Sequence, residues 1–154
     1  MNAVIRKGTV HDIELLRRIN LSSFESNKDF DPHIDMNWAK SDAATAVFTD
    51  ALTKNGYLVL IAELKGVPVG FLVLSPKHYS YRTVRMIELN ILAVLPAYRS
   101  KGIGTVLTDY AKQWAKDEGY ETMDVSVYTK NQRAIHFYER QGFSHIDVTL
   151  EIDL

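Results

Sequence analysis

At 154 residues, 46% apolar and 24% charged, the chain has the size and balance of one domain able to bury a sizeable core. Lys and Arg number 18 against 19 Asp and Glu, a net charge of −1, and no basic run is interleaved with aromatics, so neither nucleic acid nor a membrane surface is an expected partner. Cysteine is absent, which excludes a disulfide framework, a thiolate metal site and a cysteine nucleophile.

Taken in order, Val4 to Lys7 reads as a short strand with no signal-peptide core before it. The longest apolar run, Tyr57 to Ala62, is far too short to span a bilayer, and a cytoplasmic protein is expected. Thr9 with Asp12 has the spacing of a capping box, and Ile13, Leu16, Ile19 and Leu21 supply the apolar stripe of a helix ending near Ser22 or Phe24. Glu25 to Asp42 is irregular and acidic, mixed with Phe24, Phe30, Met36 and Trp38, and Pro32 blocks a continuous helix. A second helix is expected from about Trp38 to Asn55, closed by Gly56. Tyr57 to Leu64 and Val67 to Leu74 form a hairpin through Lys65-Gly66. Pro76 to Arg82 is a loop, and a strand from about Val84 to Val94 follows. A helix from Thr105 to Glu118, a strand from Thr122 to Tyr128, a helix capped by Asn131 and stopped by Gly142, and a last strand from Phe143 to Leu150 complete the chain. The order β-α-α-β-β-β-α-β-α-β implies a single α+β domain over residues 1–154, with a mixed sheet of six to seven strands and about four helices.

The stretch from Glu88 to Leu107 carries the chemistry. Ile87, Leu89, Ile91 and Ala93 give one apolar strand face, while Met86, Glu88, Asn90 and Leu92 give a second on which a carboxylate and an amide interrupt apolar surface. Pro96 stops the strand, and Gly102 and Gly104 let the backbone approach a ligand closely. Arg99 and Lys101 precede the helix, whose first acid, Asp109, lies beyond its first turn. Free amides, a positive dipole end and two cations make an anion site, most naturally for phosphate. A Walker A loop does not fit, because Lys101-Gly102 has the wrong order. A dinucleotide fingerprint fails at Leu107, where a small residue is required. The histidines, His11, His33, His78, His136 and His145, show no metal-ligand spacing, no G-x-S-x-G occurs, and no metal is expected.

The motifs then resemble a known family. Arg99-Ser-Lys-Gly102-Ile-Gly104, preceded by Leu-Ala-Val-Leu-Pro-Ala-Tyr, is similar to the pyrophosphate loop of the GNAT superfamily of acyl-CoA-dependent N-acyltransferases. Asn131-Gln-Arg-Ala134-Ile-His-Phe137-Tyr138-Glu-Arg-Gln-Gly142-Phe143 is similar to that family's N-x-x-A-x-x-F-Y-x-x-x-G-F segment. The resemblance covers essentially the whole chain. It implies a GNAT-like fold and acetyl-CoA as the acyl donor, with the diphosphate on the amides of Arg99, Ser100, Lys101, Gly102, Ile103, Gly104 and Thr105. The pantetheine arm would lie beside Leu92, Ala93 and Val94 and touch Asn131, next to Ala134 and Phe137. It is also compatible with a homodimer.

An amine arrives mainly as ammonium and must lose a proton before it attacks a thioester. Met86, Ile87 and Leu89 around Glu88 disfavour its charged form, which makes it the candidate base; a salt bridge to Arg85 or Arg82 is the plainer alternative. Tyr138 is the candidate acid for the departing thiolate, although Ala134, Phe137 and Tyr138 would also make an ordinary core stripe. Without cysteine, direct transfer in a ternary complex is expected. In the family the acceptor is chosen by the first two helices and the hairpin loops, here Phe24, Phe30, Asp31, Tyr79 and Tyr81, with Asn90 from the central strand. The acidic bias of residues 25–42 suggests a cationic small-molecule or peptide amine. The other reading is a silent acyl-CoA-binding module that keeps the phosphate loop and needs neither acid nor base.

Overall fold

Apolar runs that alternate on both sides become the middle of a sheet. The computed structural model describes residues 2–154 and sets β1 (Val4–Lys7), β2 (Leu58–Leu64), β3 (Val67–Lys77), β4 (Met86–Val94) and β5 (Thr122–Asp124) side by side in that order. The first four are antiparallel neighbours, and β5 joins β4 in parallel. Lys65 and Gly66, with φ of 51 and 77, supply the left-handed pair that a tight hairpin between β2 and β3 requires. Helices α1 (Ile13–Asn27) and α2 (Asp42–Thr53) cover one face, where Leu16, Ile19 and Phe48 meet Val59, Ile61, Phe71 and Val73. Helix α3 (Ile103–Asp117) covers the other, placing Ile103, Leu107 and Ala111 against Leu58, Leu60, Leu72, Leu74, Ile87 and Leu89. Both faces are buried, which is why β2 and β3 read as nearly continuous apolar sequence.

Local signals explain most boundaries. Thr9 and Asp12 form the expected capping box, but on a 3-10 turn, Val10–Asp12, that leads into α1; the helix runs on past Phe24 to Asn27. The second helix divides. Trp38–Lys40 is a 3-10 turn, and Ser41 then accepts a hydrogen bond from the Ala44 amide to begin α2. Helix α3 starts at Ile103, two residues before the position its apolar period suggests. Helix α4 (Gln132–Arg140) has its Asn131 cap, and Gly142 at φ 96 ends it.

Three expectations fail. Val73 lies opposite Ile91 while Leu74 lies opposite Leu89, so Asn90 is the extra residue of a β-bulge in β4. The bulge switches parity. Ile87, Leu89, Leu92 and Val94 pack on the α3 side, and Ile91 and Ala93 on the α1–α2 side, instead of one face holding Ile87, Leu89, Ile91 and Ala93. The fifth strand stops at Asp124 instead of Tyr128, because only Met86–Glu88 pair with it and residues 125–128 diverge from β4. Residues 143–154 form no strand, so the sheet has five strands instead of six or seven. The Phe143 amide donates to the Tyr138 carbonyl, and beyond it the tail lays polar side chains on the body and leaves its backbone unpaired among the described residues.

Candidate active site

The loop that ends β4 is built to hold an anion. A 3-10 turn, Pro96–Tyr98, reverses the chain, then Ser100 (φ 60) and Gly102 (φ 80) adopt left-handed backbone. Gly102 is the N-cap of α3 and has no side chain with which to cap it. The first bond of the helix runs from the Val106 amide to the Gly102 carbonyl, so the amides of Ile103, Gly104 and Thr105 have no protein acceptor among the described residues. The two glycines serve different ends. A Cβ at Gly102 would meet nothing within 4 Å, so glycine there satisfies φ and leaves the approach open, whereas a Cβ at Gly104 would come 3.3 Å from Phe137 Cζ. Gly104 therefore lets the start of α3 seat against α4.

Cations surround these amides without carboxylate partners. Arg99 Nε donates to the Val94 carbonyl at 2.8 Å, and Lys101 Nζ lies 5.4 Å from the centre of the Tyr98 ring. Arg133, from the first turn of α4, donates to Ser100 Oγ at 2.9 Å. Burial, and then the charge of Arg133, push the Arg99 guanidinium below its ordinary value. None of the three makes an ion pair among the described residues. Two arginines and a lysine without a counter-charge, beside three free amides at a helix N-terminus, suit a diphosphate. Arg133 lies inside the later motif but outside the glycine loop; only the fold brings it there.

The divergence of β5 from β4 opens a cleft of about 510 Å³ that reaches from the acceptor side of the sheet toward α4. Its walls are Leu89, Asn90, Ile91 and Leu92 on β4, residues 125–128 opposite, and Asn131, Ala134 and Tyr138. Beyond Glu88 that edge of β4 has no strand partner, which leaves its backbone available to an extended ligand. Asn131 Oδ1 accepts from the Ala134 amide at 3.1 Å, so the cap and the cleft wall are one residue. Ala93 is buried in the core and the Val94 carbonyl is taken by Arg99. Leu92 is thus the residue of that trio whose side chain lines the cleft.

Tyr138 faces the cleft with a hydroxyl that has no protein partner among the described residues, held edge-on by Phe137 at 5.1 Å and Phe143 at 5.4 Å. Burial pushes its phenol up to about 12. Glu88 lies outside the cleft wall, adjacent to Leu89 and opposite Asp124. Its partner is neither Arg82 nor Arg85: Lys77 Nζ stands 4.0 Å from Glu88 and 2.8 Å from Asp124. The Asp124 carboxylate holds that ammonium well above its ordinary value. Asp124 Oδ1 is buried without a partner.

A second cavity of about 370 Å³ shares Asn20, Phe24 and Ile91 with the cleft and adds Ile34, Asp35 and Trp38. Phe24 and Trp38 stack at 5.5 Å. Asn20 is 3% exposed, and its Nδ2 has no hydrogen-bond partner among the described residues. Sequence reasoning passed over Asn20, although it occupies the Leu16-Asn20-Phe24 line of α1, where an amide interrupts an apolar stripe. The other candidate acceptor residues divide. Phe30 packs on Tyr128 at 6.3 Å. Asp31 accepts from the His33 amide and the Tyr128 hydroxyl, both at 2.9 Å, and these bonds hold its carboxyl below the usual range. Asn90, the bulge residue, lines the cleft. Tyr79 and Tyr81 stack on each other at 5.3 Å and line neither cavity.

The profile of the Acetyltransferase (GNAT) family matches residues 14–143. An uncharacterized N-acetyltransferase, MJ1207, of Methanocaldococcus jannaschii is 35% identical over 89 residues, which are 57% of this chain and 39% of that protein. The chain therefore spans well under half of that relative. The PaiA N-acetyltransferase of Thermoplasma acidophilum, solved with coenzyme A, superposes with a TM-score of 0.81 at 22% identity, covering 97% of this chain and 94% of the other. The aminoglycoside N-acetyltransferase AAC(6')-Iy, also solved with coenzyme A, gives 0.77 at 20% identity, covering 99% and 95%. At these identities the two structures speak to the fold alone.

Proposed function

The chain belongs to the acetyltransferase (GNAT) family, and on that premise we propose that it moves an acetyl group from acetyl-CoA to the primary amine of a small molecule within a ternary complex. The observation that carries this is the adjacency of the anion cradle to the cleft beside β4: Leu92 and Ala134 line the cleft, while Arg99 bonds the Val94 carbonyl and Arg133 bonds Ser100. An elongated donor with a diphosphate at one end and a thioester at the other matches both in one pose. Ile103, Gly104 and Thr105 amides, with Arg99, Lys101 and Arg133, hold the diphosphate. The unpaired edge of β4 and Asn131 hold the arm.

The reacting groups meet where Asn90 bulges out. The amine nitrogen attacks the thioester carbonyl, the C–N bond forms and the C–S bond breaks. Glu88 takes the ammonium proton through water, because it stands behind the cleft wall instead of in it, and Lys77 and Asp124 fix its position. Tyr138 keeps its own proton throughout the neutral range. A thiolate of ordinary basicity, about 8.5, is a weaker base than the Tyr138 phenolate, so Tyr138 stabilises the leaving sulfur by donating a hydrogen bond instead of surrendering the proton, and the second proton of the attacking nitrogen passes to the sulfur as the C–S bond breaks, releasing coenzyme A as the thiol.

The acceptor is an amine on an apolar body. The acidic loop suggests a cationic amine, yet Asp31 is bonded to Tyr128 and His33, and Asp35 caps the Asn37 amide at 2.9 Å. What faces the acceptor side of the cleft is Phe24, Ile34, Trp38 and Ile91, with the Asn20 amide and the Asp35 carboxylate as the polar groups among them. Release of coenzyme A thiol from acetyl-CoA tests both levels, and the absence of cysteine removes any background from the enzyme. Saturable release is expected with arylalkylamines at lower KM than with spermidine or an aminoglycoside. The opposite preference overturns the acceptor reading, and binding of acetyl-CoA with no release from any amine overturns the transferase reading.

A further inference from the structure

Three ionisable side chains meet on one face of the sheet where β5 leaves β4. On β3, Phe71 and Val73 pack on the α1–α2 side, and the same parity carries Ser75 and Lys77 there. Glu88 lies opposite Ser75 on β4, and Asp124, the last residue of β5, lies opposite Glu88. The two carboxylates are therefore immediate neighbours on adjacent strands, and each raises the cost of ionising the other. Lys77 relieves that cost. Its side chain crosses β4 to a residue two strands away, roughly 10 Å across the sheet, and its Nζ ends 2.8 Å from Asp124 Oδ2 and 4.0 Å from Glu88 Oε1.

The sharing is unequal. The side chains of Lys77, Glu88 and Asp124 are 19%, 27% and 17% exposed, so their charges couple while water still reaches Glu88. One ammonium faces two carboxylates, which leaves the cluster with one surplus negative charge. Asp124 holds the ammonium at hydrogen-bond distance, with its other oxygen buried and unpartnered, while Glu88 has it only at the limit of an ion pair. The α1 residues that line the adjoining cleft, Asn20, Ser23, Phe24 and Asn27, are uncharged. Arg82 rests on Met86 Sδ at 3.7 Å instead of on a carboxylate, and the centre of the Tyr79 ring lies 5.0 Å from Lys77 Nζ. On the reading of Glu88 as the base, we propose that Lys77 and Asp124 are positioning residues that set its proton affinity: Asp124 engages the ammonium, and Glu88 keeps the surplus charge with which it accepts a proton. A lysine paired to Glu88 alone would make it a weaker base, and an unshielded Asp124 would keep it protonated and unable to act. In the reaction the ammonium proton of the acceptor passes through water to a Glu88 oxygen, and the neutral acid returns it to solvent. Lys77 stays charged throughout, because the Asp124 carboxylate holds its ammonium well above the ordinary range.

Protein labelled with carbon-13 at the glutamate side-chain carboxyls reports the titration of Glu88 directly by NMR, its signal identified by loss in Glu88→Gln. The acid limb of kcat/KM, with acetyl-CoA and phenethylamine, reports the same group at work. Lys77→Met leaves two carboxylates side by side and is expected to raise the Glu88 midpoint by about one pH unit. Asp124→Asn releases Lys77 to Glu88 and is expected to lower it by about as much. Lys77→Arg keeps the charge and should keep the wild-type midpoint. Both neutralising variants lose the same ion pair, so a merely structural clasp would move the midpoint in one direction or not at all, and either result overturns the proposal. Opposite shifts that the kinetic limb follows support it. Opposite shifts with the kinetic limb unmoved, or an acid limb that survives Glu88→Gln, overturn Glu88 as the base and the catalytic role of the pair with it.

Discussion

At the scale of single residues, Tyr138 lines the cleft and Glu88 stands behind its wall. On the proposed mechanism Glu88 takes the ammonium proton through water, so Glu88→Gln is expected to remove the proton acceptor and leave donor binding intact. Its kcat/KM at neutral pH is expected to fall about 100-fold, with the dissociation constant of acetyl-CoA unchanged by calorimetry. On the same proposal Tyr138→Phe removes a hydrogen bond made to the developing thiolate, and kcat should fall roughly 10- to 100-fold while KM for acetyl-CoA holds. The tyrosine also has a signature in stability. Its folded-state value is raised, so the contribution of the neutral phenol is fully present below the unfolded value near 10 and is lost as pH rises toward about 12. Urea denaturation between pH 9 and 12 should show the wild type losing stability that Tyr138→Phe retains. Asn20 was the residue hidden from the sequence. A single asparagine on a helix reads as surface until the fold shows it 3% exposed beside an apolar cavity.

At the scale of elements, the N-terminus of α3 presents the free amides of the proposed donor site. Its free amides exist because Gly102 offers no capping oxygen, and Gly102 exists because the backbone there needs φ 80. An alanine at Gly102 meets no neighbour, so its cost is conformational, about 1 kcal/mol. Gly102→Ala is expected to lose that much stability by urea denaturation and to raise the KM for acetyl-CoA several-fold with kcat at saturation spared. The glycine spacing was readable in the sequence, as were the asparagine cap of α4 and the Lys65-Gly66 hairpin, since each is a local demand of φ or hydrogen bonding. The bulge at Asn90 was not. Alternation alone assigns Ile87 through Ala93 to one face, and only the register against β3 shows the extra residue that divides them.

At the scale of the whole molecule, one ion network ties the sheet edge to the first helix. Arg6 on β1 donates to both oxygens of Asp12, at 2.9 and 2.8 Å, and to Glu63 on β2 at 2.7 Å, while the Thr9 amide also bonds Asp12. The Arg6 bond, ahead of the others, holds the Asp12 carboxyl below its usual range. Its stabilisation is therefore present above pH 3.9 and is lost as pH falls through the lower folded value. Asp12→Asn should cost about 2 kcal/mol at neutral pH by thermal denaturation, and less as the wild type is acidified below pH 4. The sequence by itself determined the order of elements through α4, the anion loop and the two motifs, because apolar period, caps and left-handed turns are contacts between near neighbours in the chain. Only the tertiary structure decided where β5 leaves β4, that Arg133 joins the loop, that Lys77 and not an arginine faces Glu88, and that the last residues form no strand. Each of these depends on pairing between residues far apart in sequence, and side-chain period carries no information about which edge a strand will meet.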